Sequence, residues 1–196
     1  MNTHTHIISP LIAPTGTAKS RIERAALDLF VSRSIEGVST KSIAAAASVS
    51  EGLIYRHFKS KDDLARQLMA HIHVKLTDLV RRHMAQSLDA AVEDIVQGYC
   101  ALADQDWALF TYHLLHMHRF PKLSEDSPLR AAAELIAFNQ SAGRLRTGVD
   151  PAVLAAMALG VVLQTAQARV AGAMAAPLSD FAPLFERAVM AVLEES

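Results

Sequence analysis

Apolar and polar positions alternate with the period of a helix along most of the 196-residue chain. Ile22, Ala25, Ala26, Leu29 and Phe30 fall at i, i+3, i+4, i+7 and i+8, which predicts an amphipathic helix over 19–31 with one buried stripe. Gly37 lies in the turn after it. Ser39 is a good N-cap for a short helix over 40–46 that buries Ile43 and alanines, and Ser50 for a second over 51–58 whose inner face offers Ile54 and Phe58. Only Ala47, Ser48 and Val49 separate the two. Ser60 caps a long helix that starts at Lys61 and runs through Leu64, Leu68, Ile72, Leu76 and Leu79 toward Met84. Further helices are predicted over 88–103, 107–119 with Asp106 as cap, 128–146 with Ser127 and Pro128, and 151–175 with Asp150 and Pro151. Ser179 opens a last one, with a stripe of Phe181, Leu184, Phe185, Ala188, Val189 and Val192.

Composition agrees with that pattern. Alanine and leucine abound, aromatic residues make up 6%, and the 8 glycines and 7 prolines are few enough to favour helices over strands and turns. The expected class is all-α. The single cysteine, Cys100, cannot close an intrachain disulfide, which fits a reducing cytoplasm. Residues 1–17 lack a basic start, and Pro10 and Pro14 break their apolar runs, so they are expected to be a disordered arm rather than a signal peptide. The uncharged stretch 151–168 approaches the length of a membrane span, but Gln164, Thr165 and Gln167 interrupt it and Arg169 follows at once. A buried helix at a subunit interface accounts for the same residues, and no membrane partner is expected.

The net charge of −1 does not advertise a nucleic-acid binder; residues 18–64 carry +2, and residues 65–196 carry −3. Two short helices about three residues apart, braced by a longer one, nevertheless have the geometry of a helix-turn-helix. An ordinary helical hairpin has the same spacing. The segment from Val38 to Leu64 goes further: Ile43-Ala44, Val49-Ser50, Gly52, Ile54-Tyr55 and Phe58-Lys59-Ser60-Lys61 resemble the DNA-binding signature of the tetracycline-repressor (TetR) family. The likeness covers about residues 18 to 64. It implies a three-helix DNA-binding domain over 18–64 and a helical effector-binding and dimerisation domain over 65–196.

The same resemblance implies roles for single residues. Tyr55 matches a tyrosine that lies against the DNA backbone and Lys61 a lysine that meets a phosphate, while Glu51, Gly52, Leu53, Arg56 and His57 occupy positions facing the major groove. Arg56 could grip guanine with two hydrogen bonds, Glu51 accept from cytosine and Leu53 pack on a thymine methyl. Lys41 joins Tyr55 and Lys61 as a phosphate contact, and Ser50 completes the expected DNA-binding set. Ser48 stands where the family usually has glycine, so a left-handed backbone there would cost about 1–2 kcal/mol. Leu53 and Glu51 also depart from the usual residues, which bears on the operator sequence rather than on binding.

Trp107, Phe110, Met117, Phe138 and Met157, with His113 and Gln164 as polar anchors, are candidates for an effector pocket, although residues at such spacing also serve as plain core. His113 and His116 could share a metal, yet no cysteine or carboxylate sits at a ligand's spacing, so neither metal nor cofactor is expected. His71 and His73 point to different helix faces. Without GxSxG, HExxH or a phosphate-cradling glycine loop, no enzyme is expected. The small residues of 151–175, with Val161, Val162 and Leu163, and the stripe of 179–193 are expected to form a homodimer interface as a four-helix bundle. The function so implied is a repressor released from a palindromic operator by a small-molecule effector. The rival is a helical dimeric small-molecule-binding or protein-interaction module that no longer binds DNA.

Overall fold

A computed structural model describes residues 16–120, 126–145 and 147–194. Among these there are nine α-helices and no strand: α1 (Ala18–Arg33), α2 (Thr40–Ala46), α3 (Glu51–His57), α4 (Lys61–Arg81), α5 (Leu88–Gln105), α6 (Trp107–His116), α7 (Pro128–Ser141), α8 (Pro151–Val170) and α9 (Ala182–Glu194). The expected all-α class is the one found. Most of the expected arm, residues 1–15, lies outside the described residues.

The caps explain where these helices begin. The side chains of Thr17, Ser39, Ser60, Asp106, Ser127 and Asp150 each accept a backbone N–H of the first turn, satisfying donors that a helix leaves open. Ser50 precedes α3 as expected, but its side chain makes no capping bond.

The ends follow a second rule. After α2, α7 and α8 the chain turns through a left-handed residue, Ser48 (φ 54°), Gly143 (φ 68°) and Gly172 (φ 76°). Each turn is closed by the same nested bonds, such as Val49 N–H to Ala44 O and Ser48 N–H to Ala45 O after α2. Gly143 and Gly172 therefore stop α7 and α8 short of the expected residues 146 and 175. A 3-10 turn, Leu178–Phe181, fills the expected first turn of the last helix, so α9 begins only at Ala182.

Helix α1 packs on α2, α3 and the first half of α4, burying Ile22, Ala26, Leu27 and Phe30 with Ile43, Ile54 and Phe58. Leu27 thus takes a core place expected for Leu29, which is only half-buried. The second half of α4 packs on α7, α7 on α8, α8 on α9 and α9 on α5. One carboxylate fastens the corner before α9. Asp104 of α5 accepts the Leu178 N–H (2.9 Å), the Ser179 N–H (2.8 Å), the Ser179 hydroxyl (2.6 Å) and Arg169 Nη1 (2.9 Å). Burial alone would raise the pKa of Asp104, but the hydrogen bonds from Ser179 and Leu178 and that from Arg169 hold it below its ordinary value.

Helix α8 is long and apolar enough to cross a membrane by length and composition. It is not wrapped by its own chain: Leu154, Ala155, Val162 and Ala166 face inward, while Val153 and Met157 are about half exposed.

Candidate nucleic-acid interface

Helix α3 is seven residues long, and its spacing divides it cleanly. Ile54 is fully buried, as is Phe58 just beyond its end. Glu51, Gly52, Tyr55, Arg56 and His57 lie on the exposed face, and Leu53 is half-buried at its edge. A side chain at Gly52 would meet nothing within 4 Å, so nothing inside the protein requires a glycine there. Helical glycine is costly relative to alanine, and the open space faces outward.

Several contacts fix this face. Arg21 of α1 donates from Nε to Ala47 O (3.3 Å) and holds the turn between α2 and α3. Thr40, at the start of α2, donates to the Glu51 carboxylate and lies 3.3 Å from the Tyr55 hydroxyl. Thr40 is thus a member of the face that the sequence does not announce; it touches α3 eleven positions away only because the turn brings the two N-termini together.

Lys61 is placed differently from a free phosphate ligand. Its ammonium donates to Val38 O (2.6 Å) and Glu36 O (3.4 Å), tying the start of α4 to the turn before α2. One donor remains on that nitrogen. By contrast Lys41, Arg56 and Lys59 are exposed and make no ion pair among the described residues. The exposed positive charge of the face therefore rests on these three side chains.

The helix-turn-helix unit is joined to the remaining helices chiefly through α6. Arg24 of α1 pairs at 2.7 Å with Asp106, the cap of α6. Phe30 stacks on Tyr112, whose buried hydroxyl donates to Ala65 O of α4 at 2.7 Å. Beyond α6, Arg119 reaches Glu36 (2.5 Å) and Asp62 (3.6 Å). The Glu36 carboxyl is held below its ordinary pKa by a backbone hydrogen bond first and Arg119 second.

The cavity among the C-terminal helices is lined by residues other than those expected. It holds about 60 Å³ and is bounded by Val80 of α4, by Leu88, Val92, Ile95, Val96 and Tyr99 of α5, and by aliphatic side chains of α7, α8 and α9. Trp107, Phe110, His113, Met117, Phe138, Met157 and Gln164 do not border it. Trp107 instead stacks on Phe110 and carries the Arg169 guanidinium 4.1 Å above its ring. Phe138, Met157 and Gln164 face outward, and His113 is buried beside His73 with ring centroids 5.6 Å apart. In sequence the lining of this cavity is, apart from Tyr99, a set of aliphatic residues indistinguishable from core. His113 and His116 do not converge: His116 lies against Tyr112, and no metal-binding group of three or more His, Cys, Asp or Glu residues occurs among the described residues.

These features define a helical protein built on an N-terminal helix-turn-helix whose exposed α3 is flanked by Lys41 and Lys59. Residues 22–68 match the family described as bacterial regulatory proteins, tetR family. Over 69 residues the chain is 41% identical to an HTH-type transcriptional repressor of Mycobacterium tuberculosis and to an HTH-type transcriptional regulator of Mycobacterium bovis. Those matches cover 34% of this chain and 37% of the relatives' length. The fold as a whole is that of the fatty acid degradation regulator FadR from Bacillus halodurans (TM-score 0.77, 18% identity, covering 90% of this chain and 96% of that one). It is also that of FadR from Bacillus subtilis, solved with stearoyl-CoA (0.76, 16%, 86% and 96%). SmeT, repressor of a multidrug efflux pump of Stenotrophomonas maltophilia, is similar too (0.70, 20%, 91% and 91%). The helix-turn-helix segment thus matches that of the tetR family of bacterial regulatory proteins, and the chain spans about a third of the length of the curated regulators it matches.

Proposed function

We propose that the protein is a cytoplasmic, homodimeric transcriptional repressor that binds a palindromic operator through α2 and α3 and leaves it when a small apolar effector binds among α4 to α9. The observation that carries this reading is the division of α3. Ile54 and Phe58 lock it inward, while Tyr55, Arg56 and His57 are exposed beside a glycine whose space is empty. A helix presented in this way fits the major groove. In that role Arg56 reads bases, Lys41, Tyr55 and Ser50 meet the backbone, and Glu51 and Leu53 border the read bases. Lys61 contributes one donor to a phosphate while its others organise the loop before α2.

The domain division follows the same line: residues 18–64 bind DNA and 65–196 bind the effector and the second subunit, with α4 common to both. The uncovered Val153, Met157 and Leu184 support α8 and α9 as the dimer interface. Val162 and Val189, by contrast, border the cavity. The aliphatic cavity supports an apolar effector, as does the stearoyl-CoA bound by the Bacillus subtilis relative. Occupation of the cavity shifts the equilibrium between DNA-binding and released states only so far as the effector prefers one of them.

The test is a mobility shift with the purified protein and the DNA upstream of its own gene. The expected result is a saturable shift whose affinity falls steeply as salt is raised, because phosphate contacts release counterions. A protein that shifts no segment of that region, or whose binding is indifferent to salt, is not the regulator proposed and fits the rival module that no longer binds DNA.

A further inference from the structure

The lining of the cavity and its continuation to the surface narrow the class of effector. Along α5 the lining residues are Leu88, Val92, Ile95, Val96 and Tyr99, a row three helical turns long, or about 16 Å. Every other lining residue is a valine, leucine, isoleucine or alanine. The space is narrow as well as long: its 60 Å³ is less than half the roughly 150 Å³ that accommodates a benzene ring. Any occupant must therefore part the helices, and the long aliphatic row on α5 favours one that lies along it over a compact ring system.

One end of this channel meets a different surface. Leu88 borders both the cavity and a broad depression of about 500 Å³ lined by Ala85, Gln86, Ser87, Asp89, Arg144 and Glu194. Leu193 of the cavity is followed directly by Glu194 of the depression. Arg144 is the depression's one cation and faces two carboxylates, so it suits a head that accepts hydrogen bonds better than one that brings a full negative charge. An acyl carbonyl is such a head.

We propose that the cavity binds an unbranched aliphatic acyl chain of about ten to fourteen carbons, the length that spans three turns of α5, inserted tail first past Leu88 with its carbonyl beside Arg144. The inference rests on the reading of the C-terminal helices as the effector-binding part. Insertion widens the space between α5, α7 and α8, so the chain favours a state in which these helices stand further apart, and that preference is what an effector needs.

The experiment is calorimetric titration of the full-length protein, without DNA, by the C8, C10, C12, C14 and C18 straight-chain acids and their coenzyme A thioesters, with adamantane carboxylic acid as a compact control. Affinity is expected to rise about fourfold per methylene to an optimum near C12 and then to fall, with the compact acid far weaker. Ala158→Leu, which fills the channel, should move the optimum to shorter chains; Leu159→Ala, which lengthens or widens it, should move the optimum to longer ones. Either variant suffices if the other fails to fold. The thioester is expected to bind more tightly than the ionised acid, whose full charge the two carboxylates of the depression oppose; tighter binding of the acid overturns the placement of the carbonyl beside Arg144. No binding, affinity that climbs through C18 without an optimum, equal binding of the compact acid, or an optimum that a folded variant leaves unmoved overturns it. Because no DNA is present, such a failure leaves operator binding to be judged by its own assay.

Discussion

Replacing Ser48 by glycine should stabilise the protein. Three helix ends in this chain close with the same pair of nested hydrogen bonds, and two of them place glycine at the left-handed residue; the third places Ser48 there at φ 54°. A side chain in this conformation crowds the following carbonyl, at a cost of about 1–2 kcal/mol. Against it stands the extra backbone freedom that glycine has when unfolded, roughly 0.5–1 kcal/mol. Ser48 is exposed, and its hydroxyl has no hydrogen-bond partner among the described residues, so no compensating bond is lost. The balance favours Ser48→Gly by about 0.5–1 kcal/mol. For a chain of this size that corresponds to a rise in Tm of roughly 1–4 °C, measured at one fixed protomer concentration because dimer stability depends on it. Denaturant melts of the wild type, Ser48→Gly and Ser48→Ala check the argument, since alanine keeps the offending Cβ. Destabilisation by glycine, or equal stabilisation by alanine, would falsify the assignment of strain to this turn.

Gly52→Ala should raise helix stability by a few tenths of a kcal/mol yet weaken operator binding, because the space it fills is open only toward the DNA; unchanged affinity in a mobility shift counts against the placement of α3. Arg56→Ala should change which operator bases are preferred, whereas Lys61→Ala should weaken all sequences alike and also lower stability by about 1 kcal/mol, since its bond to Val38 O goes too; binding-site selection and melts separate the two. Met157→Arg or Leu184→Glu should give folded monomers in sedimentation, and an unaltered dimer would remove α8 and α9 from the interface. Burial pushes the His113 imidazole down to about 3, helped by His73 and His118. The unfolded state therefore takes up the proton first: His113 costs no stability above about pH 6.5, and below it the protein loses about 1.4 kcal/mol per pH unit toward the folded value. In melts from pH 7 to 5, His113→Leu should flatten that slope, and an unchanged slope excludes His113 as its source.

The helices were legible because their caps and stripes are local. Ser39, Ser60, Asp106, Ser127 and Asp150 announce starts that the structure keeps, and Ile54 and Phe58 mark the inner side of α3. The left-handed backbone at Ser48 could be anticipated as well, from a serine where the family has glycine. Less legible was whatever depends on which apolar residues surround a space. Trp107 and Phe110 looked like pocket walls because they are aromatic, but Arg169 and the α6 packing claim them, while the cavity is lined by Val92, Val96, Leu135 and Leu159, which no local pattern distinguishes from filled core. Lys61 and Thr40 show the same limit for polar groups. Their partners, Val38 O and Glu51, lie across turns, and only the folded chain sets them side by side.

Helix α4 begins at Lys61, bonded to the loop that carries α2, and at His73 it still meets His113 of α6; Val80, near its far end, borders the aliphatic cavity. Its 21 residues make a rigid rod about 31 Å long. Such a rod multiplies displacement: a tilt of only about 5° around the cavity end carries the other end through roughly 2.7 Å, taking that length from the helix rise. In the dimer proposed above this would be a change in reach of up to about 5 Å, to be set against a groove-to-groove repeat of about 34 Å. A side-chain adjustment too small to alter the fold at Val80 would thus be large enough to put the two α3 helices of the proposed dimer out of step with a double helix.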